Sequence, residues 1–254
     1  MTDPAVLARR VLPLIDLTSL TGQEDAELIS ALCRQARTPA GDVAAVCLYP
    51  RWAALAAREL AGTPVAVAVV VNFPAGDADP QGARAETQQA VADGADEIDV
   101  VLPYGAWLAG DEPGALAVVE AARAATEPPR RLKVILETGR LVRPEVIRAA
   151  ALGAIDAGAD FVKTSTGKLE PGATPDAARA MLEAIAERDG AAGFKASGGV
   201  RSVAQAGEYL ALADELLGPA WAGPATFRYG ASGLLDDVLA VLGERPEGTD
   251  AGGY

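Results

Sequence analysis

Eight short runs of apolar and β-branched residues recur along this chain, spaced by roughly 20 to 35 residues, about the length of one strand-plus-helix unit. They are LPLIDL from Leu12, VAAVCLY from Val43, VAVAVVV from Val65, EIDVVL from Glu97, RLKVILE from Arg131, FVKTS from Phe161, GFKAS from Gly193 and FRYGAS from Phe227. Between them lie Ala-, Glu- and Arg-rich stretches with helical period, such as ARAETQQAVADGA and PDAARAMLEAIAERDG. Thr174-Pro175-Asp176 reads as a helix start, and the glycines of DGAD at 93–96 and AGAD at 157–160 read as helix stops. Eight strands alternating with helices predict an α/β protein, a single-domain (β/α)8 barrel of the TIM type over residues 1–242. The alternative, an open doubly wound sheet, lacks the glycine-rich nucleotide loop it would need after an early strand. The last stretch, GERPEGTDAGGY at 243–254, reads as a loose acidic tail ending in Tyr254. A frayed end is the plainer reading. The sharper one is a flap that brings a phenol to the barrel mouth.

The 254 residues, 50% of them hydrophobic, suffice for one large core. A net charge of −13 argues against nucleic acid or an anionic membrane as partner. Cys33 and Cys47 are the only cysteines, which leads to the expectation of a reducing cytoplasm. The opening MTDPAVLARR does not read as a signal peptide, and no apolar run reaches membrane length. Histidine is absent, which removes the commonest general base, the Ser-His and Cys-His pairs and the usual zinc ligands. A transition-metal site is therefore not expected, and magnesium on carboxylates stays open but lacks a motif.

Of the 22 basic residues only four are lysines: Lys133, Lys163, Lys168 and Lys195. A chain that uses arginine for surface charge keeps lysine where an amine is needed, because only the amine can lose its proton near neutral pH and attack a carbonyl. Strand carboxylates accompany them: Asp16, Asp99 and Glu137. Parallel strands are normally buried and apolar, so a charge there must be paired or used. Lys163 and Lys195 stand 32 residues apart, about one βα unit, which predicts equivalent places on neighbouring strands. Two close ammonium groups repel, burial acts the same way, and one amine becomes nucleophilic. Asp99 is expected to hold Lys195 as a cation and to pass protons through a water. The plainer reading is a buried ion-pair network.

Glycines follow the last strands in Ser197-Gly198-Gly199 and Gly230-Ala231-Ser232-Gly233, where a barrel of this type commonly binds phosphate, and Gly167 with Lys168 could add a third side. Ordinary tight turns are the alternative. Cys47, Trp52, Trp107 and Trp221 read as core packing, Lys133 as a barrel-layer residue pairing with Asp99 or Glu137, and Arg201 as either a phosphate-side cation or a surface charge.

The motifs LIDLTSL, VAAVCLYP, VVNFPAGD, GADEIDVVLPYG, LKVILETG, GADFVKTSTGK, GFKASGGVR and RYGAS together closely resemble the deoxyribose-phosphate aldolases, a class I aldolase family, along nearly the whole chain. The resemblance implies a (β/α)8 barrel, no metal or organic cofactor, and reversible cleavage of 2-deoxy-D-ribose 5-phosphate to acetaldehyde and D-glyceraldehyde 3-phosphate. It implies Lys163 as the Schiff-base former, with Lys195 and Asp99 as the proton-relay groups. It further implies Gly167, Gly198, Gly199, Gly230 and Ser232 at the phosphate and Asp16, Thr166 and Lys168 at substrate hydroxyls, and favours a proton-transfer role for Tyr254. Gly233 departs from relatives that carry a second serine there. A homodimer acting on small sugar phosphates and aldehydes is expected. The alternatives are another Schiff-base aldolase or transaldolase-like barrel, a pyridoxal-phosphate enzyme, and a non-catalytic sugar-phosphate sensor.

Overall fold

The computed structural model describes residues 3–244. Eight strands, β1 (Ile15–Thr18), β2 (Ala45–Leu48), β3 (Ala66–Val71), β4 (Glu97–Val101), β5 (Arg131–Ile135), β6 (Phe161–Lys163), β7 (Gly193–Ser197) and β8 (Phe227–Ala231), fall in the eight expected runs. They pair in parallel, each with its sequence neighbours, and β8 returns to β1 to close the barrel. Helices cover the outside, and the predicted punctuation holds. Thr174 caps the helix Pro175–Glu187 by accepting from the Ala177 N–H, and Asp25, Asp79, Asp111 and Ser202 cap four others in the same way. Gly94 and Gly158 adopt φ of +99° and +97° just past two helix ends, a conformation costly for a side-chain-bearing residue.

Alternation along the strands divides the residues between two environments. Ile15, Leu17, Val46, Leu48, Val67, Val69, Ile98, Val100, Leu132, Val134, Val162 and Phe194 point outward into the main core beneath the helices. Burial of each such side chain contributes about 1.5–3 kcal/mol. That ring offsets the several kcal/mol per ion needed to desolvate the charges inside.

The interior is lopsided. On the β2–β3 side it is small and apolar, with Ala45, Cys47, Ala66, Ala68 and Val70 clustered under Leu20. That arc leaves the space into which long side chains from β5 to β8 extend: Lys133, Lys163, Lys195 and Arg228 are all buried. Glycine makes the remaining room. A Cβ on Gly193 would run into the Phe161 ring, and one on Gly230 would collide with Ser197 Oγ and stand 3.0 Å from Lys195 Cε. At the barrel floor the guanidinium groups of Arg131 and Arg228 lie over the Phe161 ring, 5.9 and 5.7 Å from its centre. Among the described residues, no helix is long and apolar enough to cross a membrane. Gly243 closes the last helix, Leu234–Leu242, in a left-handed conformation. Tyr254 and most of the expected tail lie outside the described residues.

Candidate active site

Lys163 is the last residue of β6, and its register partner on β7 is Lys195. Asp99 pairs in register with Lys133 on β5. These four side chains converge. Asp99 Oδ1 accepts from Lys133 Nζ at 2.6 Å, while Oδ2 accepts from both Lys163 Nζ at 2.9 Å and Lys195 Nζ at 2.7 Å. Asp99 therefore touches Lys195 directly. Lys133 takes Asp99 as partner, as one of its two expected alternatives; its second close carboxylate is Glu97 at 2.7 Å and not Glu137.

A second layer lies below. Lys195 Nζ donates to Asp16 Oδ2 at 2.5 Å, and Arg228 Nη1 donates to Asp16 Oδ1 at 2.6 Å. Arg228 Nη2 also donates to Glu97 at 2.9 Å. Asp16, expected at a substrate hydroxyl, thus has both oxygens engaged by barrel cations. Glu97 and Arg228 were not singled out from sequence. Glu97 had a signal: it stands two residues before Asp99 and so shares its strand face.

These contacts separate the lysines. Burial lowers the proton affinity of Lys163; Asp99 opposes this and the neighbouring Lys195 adds to it, and the net displacement is downward. Lys195 suffers the same burial, but Asp16 and Asp99 outweigh it and hold the ammonium well above the ordinary lysine range. Lys133 is raised too, its burial overcome by Asp99 and Glu97. Burial acts to raise Asp99, but the three lysines hold it well below the usual carboxylate range. One amine can therefore shed its proton beside a carboxylate that stays charged.

Toward the mouth, Glu137 is buried with φ +54°, and its Oε2 accepts from Thr166 N at 3.2 Å and Thr166 Oγ1 at 2.5 Å. Glu137 thus fixes Thr166, a contact the sequence did not reveal. Burial pushes its carboxyl up against those hydrogen bonds. Lys168 spans the mouth from the β6 loop, its ammonium donating to the Leu20 carbonyl. Gly167 adopts φ +76°, and Gly198 and Gly199 follow each other at +86° and +89° after β7. Gly199 and Ser232 are exposed and Gly198 half-buried, whereas Gly230 is inside β8, beside Lys195 and Ser197. Cys47 is buried in the barrel with Sγ 3.9 Å from Asp99 Oδ2, and burial pushes its thiol up. Trp107 is buried, Trp52 and Trp221 pack half-buried on the core, and Arg201 is exposed.

Fold and site together define a barrel enzyme with a buried lysine at a strand end, set beside two further buried lysines around one shared carboxylate. The chain belongs to the DeoC/LacD family of aldolases, whose sequence profile matches residues 10–223. It is 47% identical over 253 residues to the deoxyribose-phosphate aldolase of Agrobacterium fabrum, covering 99% of this chain and 97% of that protein. Among solved structures it resembles the tetrameric deoxyribose phosphate aldolase of Aeropyrum pernix, at 26% identity and a TM-score of 0.72, over 93% of this chain and 91% of the other. It also resembles a Toxoplasma gondii protein provisionally named a deoxyribose-phosphate aldolase, at 27% identity and a TM-score of 0.85, over 94% and 95% of the two chains.

Proposed function

We propose that this chain is a class I aldolase that reversibly cleaves 2-deoxy-D-ribose 5-phosphate to acetaldehyde and D-glyceraldehyde 3-phosphate, through a Schiff base on Lys163, in deoxyribonucleoside breakdown. The observation that carries this reading is the geometry of the buried lysines: Lys163, at a strand end, shares Asp99 Oδ2 with Lys195, while Lys133 and Lys195 each have a further close carboxylate, so that burial and the adjacent Lys195 lower the proton affinity of Lys163. A neutral amine beside a fixed ammonium and a fixed carboxylate suits attack on an aldehyde.

In the cleavage direction, the Lys163 amine adds to the C1 aldehyde carbon and the adduct loses water, giving an iminium. A base takes the C3 hydroxyl proton, and the electrons of the C2–C3 bond move toward the iminium. Glyceraldehyde 3-phosphate leaves, and an enamine remains on Lys163. Protonation of the enamine carbon and addition of water then release acetaldehyde and restore the amine. Asp99 Oδ2 touches both Lys163 and Lys195, which supports a relay of protons along that edge. Tyr254 is proposed as the alternative donor to carbon.

Gly167, Gly198, Gly199 and Ser232 are proposed to hold the phosphate through backbone N–H groups and a hydroxyl. Gly230 serves by leaving room for Lys195, and Gly233 offers its N–H. Thr166 and Lys168 are proposed at the sugar hydroxyls, and Asp16 acts through Lys195. The phosphate grip supplies binding energy remote from the breaking bond. A homodimer is the proposed unit in solution, and light scattering would separate it from a tetramer.

The direct test is reduction with borohydride in the presence of acetaldehyde, followed by peptide mapping. An ethyl group on Lys163 is the expected product; modification elsewhere, or none, overturns the assignment.

A further inference from the structure

Among the described residues, the ion-pair network inside the barrel joins four cations, Lys133, Lys163, Lys195 and Arg228, to three carboxylates, Asp16, Glu97 and Asp99. A low-dielectric site favours balanced charge, so one of the four protonated groups is in excess. Arg228 cannot be the one to release a proton, because a guanidinium stays charged. Lys133 lies between Glu97 at 2.7 Å and Asp99 at 2.6 Å, and Lys195 between Asp16 at 2.5 Å and Asp99 at 2.7 Å. Among the described residues Lys163 has a single carboxylate contact, Asp99 at 2.9 Å, on the oxygen that Lys195 also uses.

Arg228 lies at the floor, two layers from the mouth. Its Nε donates to the Pro224 carbonyl at 2.6 Å, and its fork engages Asp16 and Glu97 together. Each of these carboxylates is therefore shared, Asp16 between Arg228 and Lys195 and Glu97 between Arg228 and Lys133. We propose that Arg228, by engaging Asp16 and Glu97, sets the charge balance that leaves Lys163 without its proton, and so acts as a positioning residue for chemistry it does not touch. This rests on the Schiff-base reading.

The titratable groups buried inside the barrel around this network are these. β1 gives Asp16, β2 Cys47, β4 Glu97 and Asp99, β5 Lys133, the turn after β5 Glu137, β7 Lys195 and β8 Arg228. The interior residues of β3 are Ala66, Ala68 and Val70, which do not titrate. Burial pushes the Cys47 thiol up, and Glu137 turns its Oε2 to Thr166 and forms no ion pair with these cations among the described residues. The balance at Lys163 therefore falls to the ions already counted.

The test is the pH dependence of borohydride trapping at Lys163 with acetaldehyde, which reads the fraction of neutral amine. Arg228→Met removes a fixed positive charge, so the trapping midpoint moves to higher pH, by on the order of one unit. Glu97→Gln removes a negative charge, so the midpoint moves to lower pH. Arg228→Lys keeps the charge and stays near the parent value. Circular dichroism establishes that each variant is folded, and Glu97→Gln with Arg228→Lys decides the matter if Arg228→Met does not fold. Folded variants with unmoved midpoints, or with shifts of the same sign, overturn the proposal. A parent protein that traps nothing at Lys163 overturns the Schiff-base reading itself, and this inference with it.

Discussion

Lys163 and Lys195 are register partners on adjacent strands, and their ammonium nitrogens lie 2.9 and 2.7 Å from the same oxygen of Asp99. Among the described residues, only Lys195 of the two has a further carboxylate, Asp16 at 2.5 Å. Two identical side chains in equivalent positions thereby acquire opposite tendencies toward the proton.

Lys163→Arg places a permanent positive charge there and offers no amine that can become neutral. The barrel should fold, with turnover and borohydride trapping both lost. Retained turnover in a steady-state assay would remove Lys163 from the covalent role.

Lys195→Leu leaves Asp16 and Asp99 each short of a partner. Loss of one member of a buried ion pair costs about 3–5 kcal/mol. Loss of a positioned proton-transfer group costs roughly 10²–10⁴ in rate. Denaturant titration and kcat should therefore both fall; a variant that loses stability but keeps kcat would make Lys195 purely structural.

Gly230→Ala brings a methyl group against Ser197 Oγ and Lys195 Cε. Overpacking of this kind costs about 1–3 kcal/mol, and Lys195 must shift. Adding Ser197→Ala removes one of the two obstacles, so the double variant should recover part of both melting temperature and activity.

Asp99 has a carboxyl pKa below its unfolded value of about 3.9, so the unfolded chain binds more protons in that range. Stability from Asp99 is complete above that unfolded value and is lost as pH falls through the folded one. Asp99→Asn should lower stability at pH 7 and flatten the acid limb of the stability–pH curve, measured by urea unfolding from pH 2 to 7.

Lys168→Met removes the ammonium that crosses the mouth to the Leu20 carbonyl. If that cation holds substrate, KM rises several-fold while kcat changes less; the reverse pattern would place Lys168 nearer the chemistry.

The barrel was legible because parallel strands buried on both faces leave short apolar runs at a βα period, as at VAVAVVV and EIDVVL. Lys163, Lys195 and Asp99 were legible as charges interrupting such runs. Arg228 and Glu97 were not, although both lie within the quoted runs. They come near strand starts, where a charge ordinarily reaches solvent, and they meet only after closure brings together residues 131 apart in sequence. The strained Glu137 beside Thr166 was equally hidden, since a left-handed glutamate has no sequence signature. Gly230 was legible as a necessary glycine, but its neighbours, not its type, reveal what the missing side chain accommodates.

The lopsided interior separates two kinds of evolutionary freedom. Each ion on the β4–β8 arc is tied to at least one other, so a change at one must be answered elsewhere. Ala45, Ala66, Ala68 and Val70 carry no such obligation. A lineage that came to favour a bulkier or slimmer aldehyde could resize that wall one methyl group at a time, while the proton chemistry opposite it stayed fixed.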